Sequence, residues 1–449
     1  MISRQEVRDT LRLAVPVVVT QLGYMAMMTV DTILVGRLGA EPLTFVALGN
    51  GLSTTPLLIA MGFLMGLDPV VAQAFGAGRR TQCGRAMRHG MLLAGLLTIP
   101  VMLVLSMSRM WLGLFKQDPM LVAGAGRFVD AINWGTFPFL AYVALRQFLQ
   151  GIGVVKPAMY IVLAANVLNL AANWVLVYGN LGAPALGATG SAWATTMSRW
   201  AMFLALAGYV FGKRWLRDYA VSAPRGRADW RLMGRLVQLG GPVGMQLGME
   251  IGVFAAALML MGWFGTVPLA AHQVAINLCS ISFMVPLGFS ATAAVRVGQA
   301  LGREDVPAAR RAALAAYACG LAFMSCSALA FLFVPEVLAG IYTADPEVVR
   351  MAARFLLVGA AFQLFDGAQT IGIGALRGAA DTRVPMFVTI IGYWVLGLPI
   401  GYVAAFPLQG GPPGLWWGLA AGLATVAILL AWRFHHRVRE ERLAFLKAG

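Results

Sequence analysis

The stretch PAMYIVLAANVLNLAANWVLVYGNLGAPALGATGSAWATTMS, from Pro157 to Ser198, runs for 42 residues without an Asp, Glu, Lys or Arg. A helix crossing the hydrocarbon core of a bilayer needs about 20 apolar residues. The stretch is too long for one crossing and right for two. Gly179-Asn180-Leu181-Gly182-Ala183-Pro184 in its middle supplies the turn between them. The fold is therefore decided here as helical hairpins in lipid. Val384 to Trp432 repeats the pattern, with 49 charge-free residues and Gly410-Gly411-Pro412-Pro413 as the turn. Between Arg235 and Arg296 lie 60 residues with a single acid, Glu250. Carried along the chain, this reading predicts twelve spans, from 11–37 and 43–77 through 88–108 and 124–150 to 384–406 and 414–434. The apolar run from Leu11 to Gly36 is too long for the core of a cleavable signal peptide and reads as the first span.

Composition agrees. Hydrophobic residues make up 59% of the 449 and charged residues 12%, where a soluble chain carries roughly 25% charged. So few charges cannot cover a water-soluble globule of this length, and disorder, collagen and a disulfide scaffold are excluded as well. Cys83 falls in a predicted loop, while Cys279, Cys319 and Cys326 fall in spans, so no disulfide is expected.

The net charge of +15 raises the question of nucleic acid. Placement answers it. The side that holds both termini collects most of the basic residues, among them Arg79, Arg80, Arg85, Arg88, Lys213, Arg214, Arg225, Arg227, Arg303 and Arg437. The opposite side holds Arg37, Arg109, Lys116, Arg127, Arg350 and Arg354. This is the positive-inside asymmetry, which puts both termini in the cytoplasm. No basic stripe is interleaved with aromatics, so no nucleic-acid partner is expected.

Sliding the sequence on itself by about 226 residues brings Pro16 onto Pro242, Gly39 onto Gly265, Pro42 onto Pro268 and Leu43 onto Leu269. Leu149-Gln150-Gly151 falls on Leu376-Arg377-Gly378, and Ala77-Gly78-Arg79 finds Leu301-Gly302-Arg303 after a two-residue slip. Six spans per repeat is an even number, so the halves share one orientation, as in transporters built from parallel repeats. The expected organisation is an all-α membrane protein of two six-helix lobes, residues 1–212 and 236–449, joined by a cytoplasmic linker at 213–235.

Three acids stand apart from other charges. Asp31 is the only charge from Leu13 to Gly36, and Asp366 the only one from Phe355 to Leu376. Glu250 stands about 21 Å into its helix at 1.5 Å per residue. Each costs about 2.5–3.5 kcal/mol at the bilayer centre on insertion scales, which makes a functional role the default reading. At the repeat offset Asp31 meets Ala257, Glu250 meets Tyr24 and Asp366 meets Phe139, so none of the three recurs. Polar residues share their helical faces. Gln246 precedes Glu250 by one turn, Gln363, Gln369 and Thr370 flank Asp366, and Tyr24, Met27 and Met28 accompany Asp31. Asn166, Asn169 and Asn173 line one face of the fifth span, where interhelical glue and a binding role are both open readings. Carboxylates in a wet cleft can hold a proton or, with oxygen ligands alone, a hard cation such as Na+.

At this point the chain resembles the multidrug and toxic compound extrusion (MATE) transporters, in particular the NorM-type bacterial branch. The resemblance is carried by Val30-Asp31-Thr32 with Gly36-Arg37-Leu38-Gly39, by Ala72-Gln73-Ala74-Phe75-Gly76-Ala77-Gly78, and by Leu168-Asn169, Asn173-Trp174 and Val177-Tyr178-Gly179. It continues through Met249-Glu250, Ala271-His272-Gln273, Asp366-Gly367-Ala368-Gln369 and Leu376-Arg377-Gly378. It implies a monomeric twelve-helix antiporter of the bacterial inner membrane, without cofactor, exporting cationic or amphiphilic drugs against Na+ or H+. It also implies a first-lobe polar site at Asp31, Asn169 and Asn173, and a second-lobe cation site at Glu250 and Asp366 with Gln246 and Gln369 nearby. Tyr24, Met27, Phe362 and Gln273 are the candidate cleft lining. Two positions depart from the family pattern. A Tyr stands four residues before the matching Asp in the NorM-type pattern, and here Phe362 keeps the ring without the hydroxyl; Asp68 is also unusual.

A lipid-linked or polysaccharide flippase of the same superfamily is the main alternative, but anionic lipid phosphates call for a basic cleft and the deep charges here are mostly acidic. An integral-membrane enzyme is the second. The chain has no HExxH, GxSxG or paired metal-ligand set, and His272, the only His in a span, reads as a hydrogen-bonded helix residue.

Overall fold

The computed structural model describes residues 3–114, 116–221 and 229–448, with side chains outside 438 and 440–448. Among these the chain is helical and contains no strand. Twelve long segments account for it: α1 (Arg4–Gly36), α2 (Ala40–Gly76), α3 (Arg80–Ser106), α4 (Pro119–Asn133 continued by Thr136–Gly151), α5 (Lys156–Tyr178), α6 (Ala188–Gly212), α7 (Trp230–Gly262), α8 (Thr266–Gly302), α9 (Val306–Phe333), α10 (Pro346–Gly378), α11 (Arg383–Ala405) and α12 (Pro412–Ala448). Ten are long and apolar enough to span a membrane, and α4 makes eleven when its two parts, bent by 44° at Trp134-Gly135, are taken together. The 25-residue α6 is the twelfth. The protein is a multi-pass membrane protein with a twelve-helix fold.

Several expected boundaries move. The third span begins at Arg80 rather than near 88, so Arg80, Arg85 and Arg88 ride on its first turns. Cys83 is accordingly buried in helix, not set in a loop, with its thiol against the Val71 carbonyl. All four cysteines are free. The repeat register also needs correction. The helices α2 and α8 end at Gly76 and Gly302, and the left-handed residues that follow are Gly78 and Glu304. Both pairs keep the 226 offset, so the slip inferred from Ala77-Gly78-Arg79 is not used. The repeat is most exact at Gly39 and Gly265, which begin α2 and α8 at φ 119°, ψ −179° and φ 106°, ψ −175°. That region of backbone space is open in practice only to glycine.

Two compact units emerge, one of residues 22–244 and one of 1–21 with 245–449. Both divisions fall inside helices, α1 after Gln21 and α7 after Gly244. In the first unit the buried part of α4, Thr136 to Gly151, is the hub, packing on α3 and α6, while α5 pairs with α6. The first half of α7 belongs here because Gly240 and Gly244 meet Phe63 and Gly62 of α2 at backbone distance, with Gly66 beside them. Small residues four apart on both helices allow this approach, which any Cβ would block. Leu236 and Met233 of α7 join the same core. Residues 213–221 of the expected linker form a 3-10 helix at Arg214–Tyr219 that docks on α3, with Arg88 donating to the Ala220 carbonyl and Arg80 paired to Asp218 at 3.4 Å. Residues 222–228 of that linker, with Arg225 and Arg227, lie outside the described residues, and its last residues, from Trp230 to Arg235, are the start of α7 rather than linker.

In the second unit α10 is the hub, packing on α8, α9 and α12. The first half of α1 belongs here. Ala14 enters the core, Val18 packs on Gly288 of α8, and Glu6 is bound by Arg296 of α8 and Arg311 of α9. Arg296 also donates to Thr10 and to the Glu6 carbonyl.

Candidate functional site

In each unit a buried polar cluster holds the isolated acids. In the first unit, α1 carries Asp31 and α5 carries Asn169 and Asn173, four residues apart and so on one face. Asp31 is 8% exposed. Its Oδ1 accepts from Asn173 Nδ2 at 2.7 Å and its Oδ2 from Thr195 Oγ1 of α6 at 2.6 Å. Asn169 Nδ2 reaches the same Thr195 oxygen at 3.4 Å. The oxygens Asn169 Oδ1 and Asn173 Oδ1 are buried without a hydrogen-bond partner among the described residues, and Ser191, one turn before Thr195, lies within hydrogen-bonding reach of the Asp31 carboxylate. The charge of Arg199, one turn beyond Thr195, acts on Asp31. Its guanidinium lies over the Phe139 ring at 5.0 Å, and it forms no ion pair with Asp31 among the described residues.

The two open readings of the Asn stripe each hold, for different residues. Asn166 is glue, its amide donating to the Gly23 carbonyl of α1 at 3.0 Å. Asn169 and Asn173 serve the carboxylate. Tyr178 adds a second tie to α1 by donating to the Leu34 carbonyl at 2.7 Å. Thr195 and Ser191 were not picked out in the sequence, since small hydroxyls in an apolar span leave no periodic signal.

In the second unit, Glu250 of α7 and Asp366 of α10 are close enough for their charges to interact. Asp366 is 6% exposed, and its Oδ1 accepts from Gln369 Nε2 at 3.2 Å. Gln369 also donates to the Tyr393 hydroxyl, which lies within hydrogen-bonding reach of the Glu250 carboxylate. Tyr393 belongs to a π-helical stretch of α11, Ile391–Gly397. Such stretches add a residue to a turn and are found frequently at functional sites. Next to Tyr393, Trp394 donates its indole N–H to the Met249 carbonyl at 3.0 Å and fixes α11 against α7. The Phe362 ring is buried between Phe254 and Trp416, with centroids at 6.4 and 5.9 Å. The hydroxyl absent at Phe362 is thus present in this cluster, supplied from a different helix by Tyr393. Among the described residues Gln246 Oε1, Gln363 Oε1 and Gln369 Oε1 are buried and unpartnered, although the Gln363 amide donates to Ser282.

Of the candidate cleft residues, Tyr24 and Met27 lie in the first unit, and Phe362 and Gln273 in the second. Tyr24 packs edge-on against Phe139 and Tyr142, and its hydroxyl is buried without a partner. Met27 is buried in the first unit's core, and Gln273 is exposed on α8. Asp68, at the start of the second half of α2, is fully buried. His272 packs edge-on against Trp416 at 5.6 Å, and its Nδ1 has no hydrogen-bond partner, a correction to the hydrogen-bonded reading.

Among the described residues both clusters offer chiefly oxygen, with the buried Cys279 thiol near Asp366. Among the described residues no group of three or more His, Cys, Asp or Glu could hold a metal ion. Carboxylate and carbonyl oxygens suit a hard cation or a proton, and the unpartnered amide oxygens beside Asp31 and Asp366 fit that chemistry.

A sequence profile of the MatE family matches residues 16–175 and again 242–403. The chain belongs to the MatE family. The two matches begin 226 residues apart, at Pro16 and Pro242, so the profile falls once on each repeat. Among relatives, the probable multidrug resistance protein NorM of Mesorhizobium japonicum is 39% identical over 448 residues, covering 98% of this chain and 95% of its own. Multidrug resistance protein NorM of Burkholderia vietnamiensis is 40% identical, covering 95% and 93%. Multidrug resistance protein MdtK of Yersinia pseudotuberculosis is 39% identical, covering 95% of each. The crystal structure of the eukaryotic MATE transporter AtDTX14 superposes with a TM-score of 0.88 at 21% identity, over 98% and 99% of the two chains. The bent form of the Vibrio cholerae MATE transporter VcmN gives 0.88 at 18%, over 98% of each. The fold is therefore that of MATE transporters, and this MatE chain is a transporter, not an enzyme.

Proposed function

We propose that this MatE chain is a secondary active multidrug efflux antiporter that exports cationic or amphiphilic drugs in exchange for Na+ or H+ by alternating access. The reading is carried by one observation. Three deep acids sit in two buried, oxygen-lined clusters, with no basic side chain ion-paired to them among the described residues. An acid kept unpaired in lipid at this cost is available to an exchangeable cation. Asp31, with Asn169, Asn173 and Thr195, forms one such place; Glu250 and Asp366, with Gln369 and Tyr393, form the other. The names of the relatives support drug substrates. The scarcity of basic residues near the deep acids favours cationic cargo over the phosphate of a flippase. The basic residues near both termini support cytoplasmic ends, the bacterial relatives support the inner membrane, and the proposed working unit is a monomer.

The test is transport by the purified protein in proteoliposomes. An imposed cation gradient should drive ethidium movement, and separate Na+ and pH jumps identify the coupling ion. Glu250→Gln and Asp366→Asn should abolish driven movement while the protein stays monodisperse. Full transport by both variants would overturn the assignment.

A further inference from the structure

Between the first turns of α9 and the last apolar turns of α12 lies a groove of about 1110 Å³. Its lining changes character along its length. Arg310, Arg311 and Arg439 stand at the helix ends, and none of the lining residues is acidic. Further along the helices, Leu314 and Leu321 of α9 and Phe434 of α12 make the walls apolar. From Val306 to Leu321 the groove follows α9 for about 23 Å at 1.5 Å per residue. That is a charged head followed by a greasy channel.

The charges are not equally committed. Arg311 is paired with Glu6 at 3.4 Å, whereas Arg310 and Arg439 are exposed and form no ion pair among the described residues. Tyr317 lines the groove, and its hydroxyl is buried against Gly372 of α10.

We propose that this groove binds one anionic phospholipid, its phosphate held by Arg310 and Arg439 and an acyl chain laid along Leu314 and Leu321. Basic pockets between membrane helices on the cytoplasmic side are suited to such headgroups. A free phosphate would use the arginine end and leave the apolar length empty. The site lies outside the two acid clusters and involves none of their residues.

Native mass spectrometry of the full chain in detergent tests this, with phosphatidylglycerol or phosphatidylcholine of matched chains added. One phosphatidylglycerol per chain should be retained, about tenfold more than phosphatidylcholine, a difference equivalent to about 1.4 kcal/mol. Arg310→Gln combined with Arg439→Gln should remove that preference, and both side chains are exposed, so the fold is kept. Leu314→Trp, which fills the channel and leaves the charges alone, should lower retention of phosphatidylglycerol as well. Millimolar inorganic phosphate should leave the bound lipid in place. Equal retention of the two lipids, full retention by the double arginine variant, unchanged binding in Leu314→Trp, or displacement by phosphate alone would each overturn the proposal.

Discussion

Thr195 and Tyr393 show how much a site depends on neutral hydroxyls. Thr195 donates a hydrogen bond to Asp31 at 2.6 Å in a buried setting, and hydrogen bonds to a charged group contribute about 1.5–3 kcal/mol. Thr195→Val keeps the shape of the side chain and removes the donor. Cation-dependent thermal stabilisation of the purified protein should weaken in this variant, and an unchanged response would mean that Asp31 is not the binding carboxylate. Tyr393→Phe is the matching test in the other cluster. It removes the hydroxyl that joins Gln369 to the Glu250 side and should raise the coupling-ion concentration for half-maximal transport about tenfold, or 1.4 kcal/mol. The acids were legible in the sequence because a charge inside a long apolar run needs a reason. The hydroxyls were not, because Thr and Tyr are ordinary fillers of a membrane helix. Tyr393 was doubly hidden, since the π-helical stretch places it off the 3.6-residue period.

Among the elements, the helices were legible from the absence of charge, and their irregularities were not. The bend in α4 at Trp134-Gly135, the π-helical stretch of α11 and the docked turn after α6 arise from packing that composition does not register. The glycines that begin α2 and α8 are an exception, because the repeat offset alone aligns them. At Gly39 and Gly265 an added Cβ would meet no atom within 4 Å, so a substitution there isolates backbone strain from steric clash. Gly39→Ala and Gly265→Ala should each destabilise the protein by about 1–3 kcal/mol. Gly51→Ala, in open space inside α2 with ordinary helical backbone, should be neutral or stabilising by up to about 1 kcal/mol. Thermal unfolding in one detergent separates the two outcomes, and equal effects at all three positions would refute the strain argument.

For the whole molecule, the division of α1 is the least expected feature, since contiguous lobes are what a tandem repeat suggests. The cause is local and chemical. Glu6 answers two arginines from α8 and α9, and Val18 fits Gly288. Glu6→Gln removes the charge that both arginines share and should raise hydrogen exchange over residues 4–12, with little change over 22–36. A uniform rise along α1, or none, would show that the ion pairs do not hold its first turns.

The division has a consequence for any attempt to separate the halves. A chain cut between 221 and 229 yields an N-terminal fragment without residues 229–244, whose Leu236 and Met233 close the first core. The C-terminal fragment lacks residues 1–21 and with them Ala14, which closes the second. Each half of the gene product thus keeps a piece of its sibling's interior and surrenders a piece of its own. Neither fragment is a self-sufficient ancestor in miniature; an unfused pair would have to trade helix ends reciprocally before either core could be sealed.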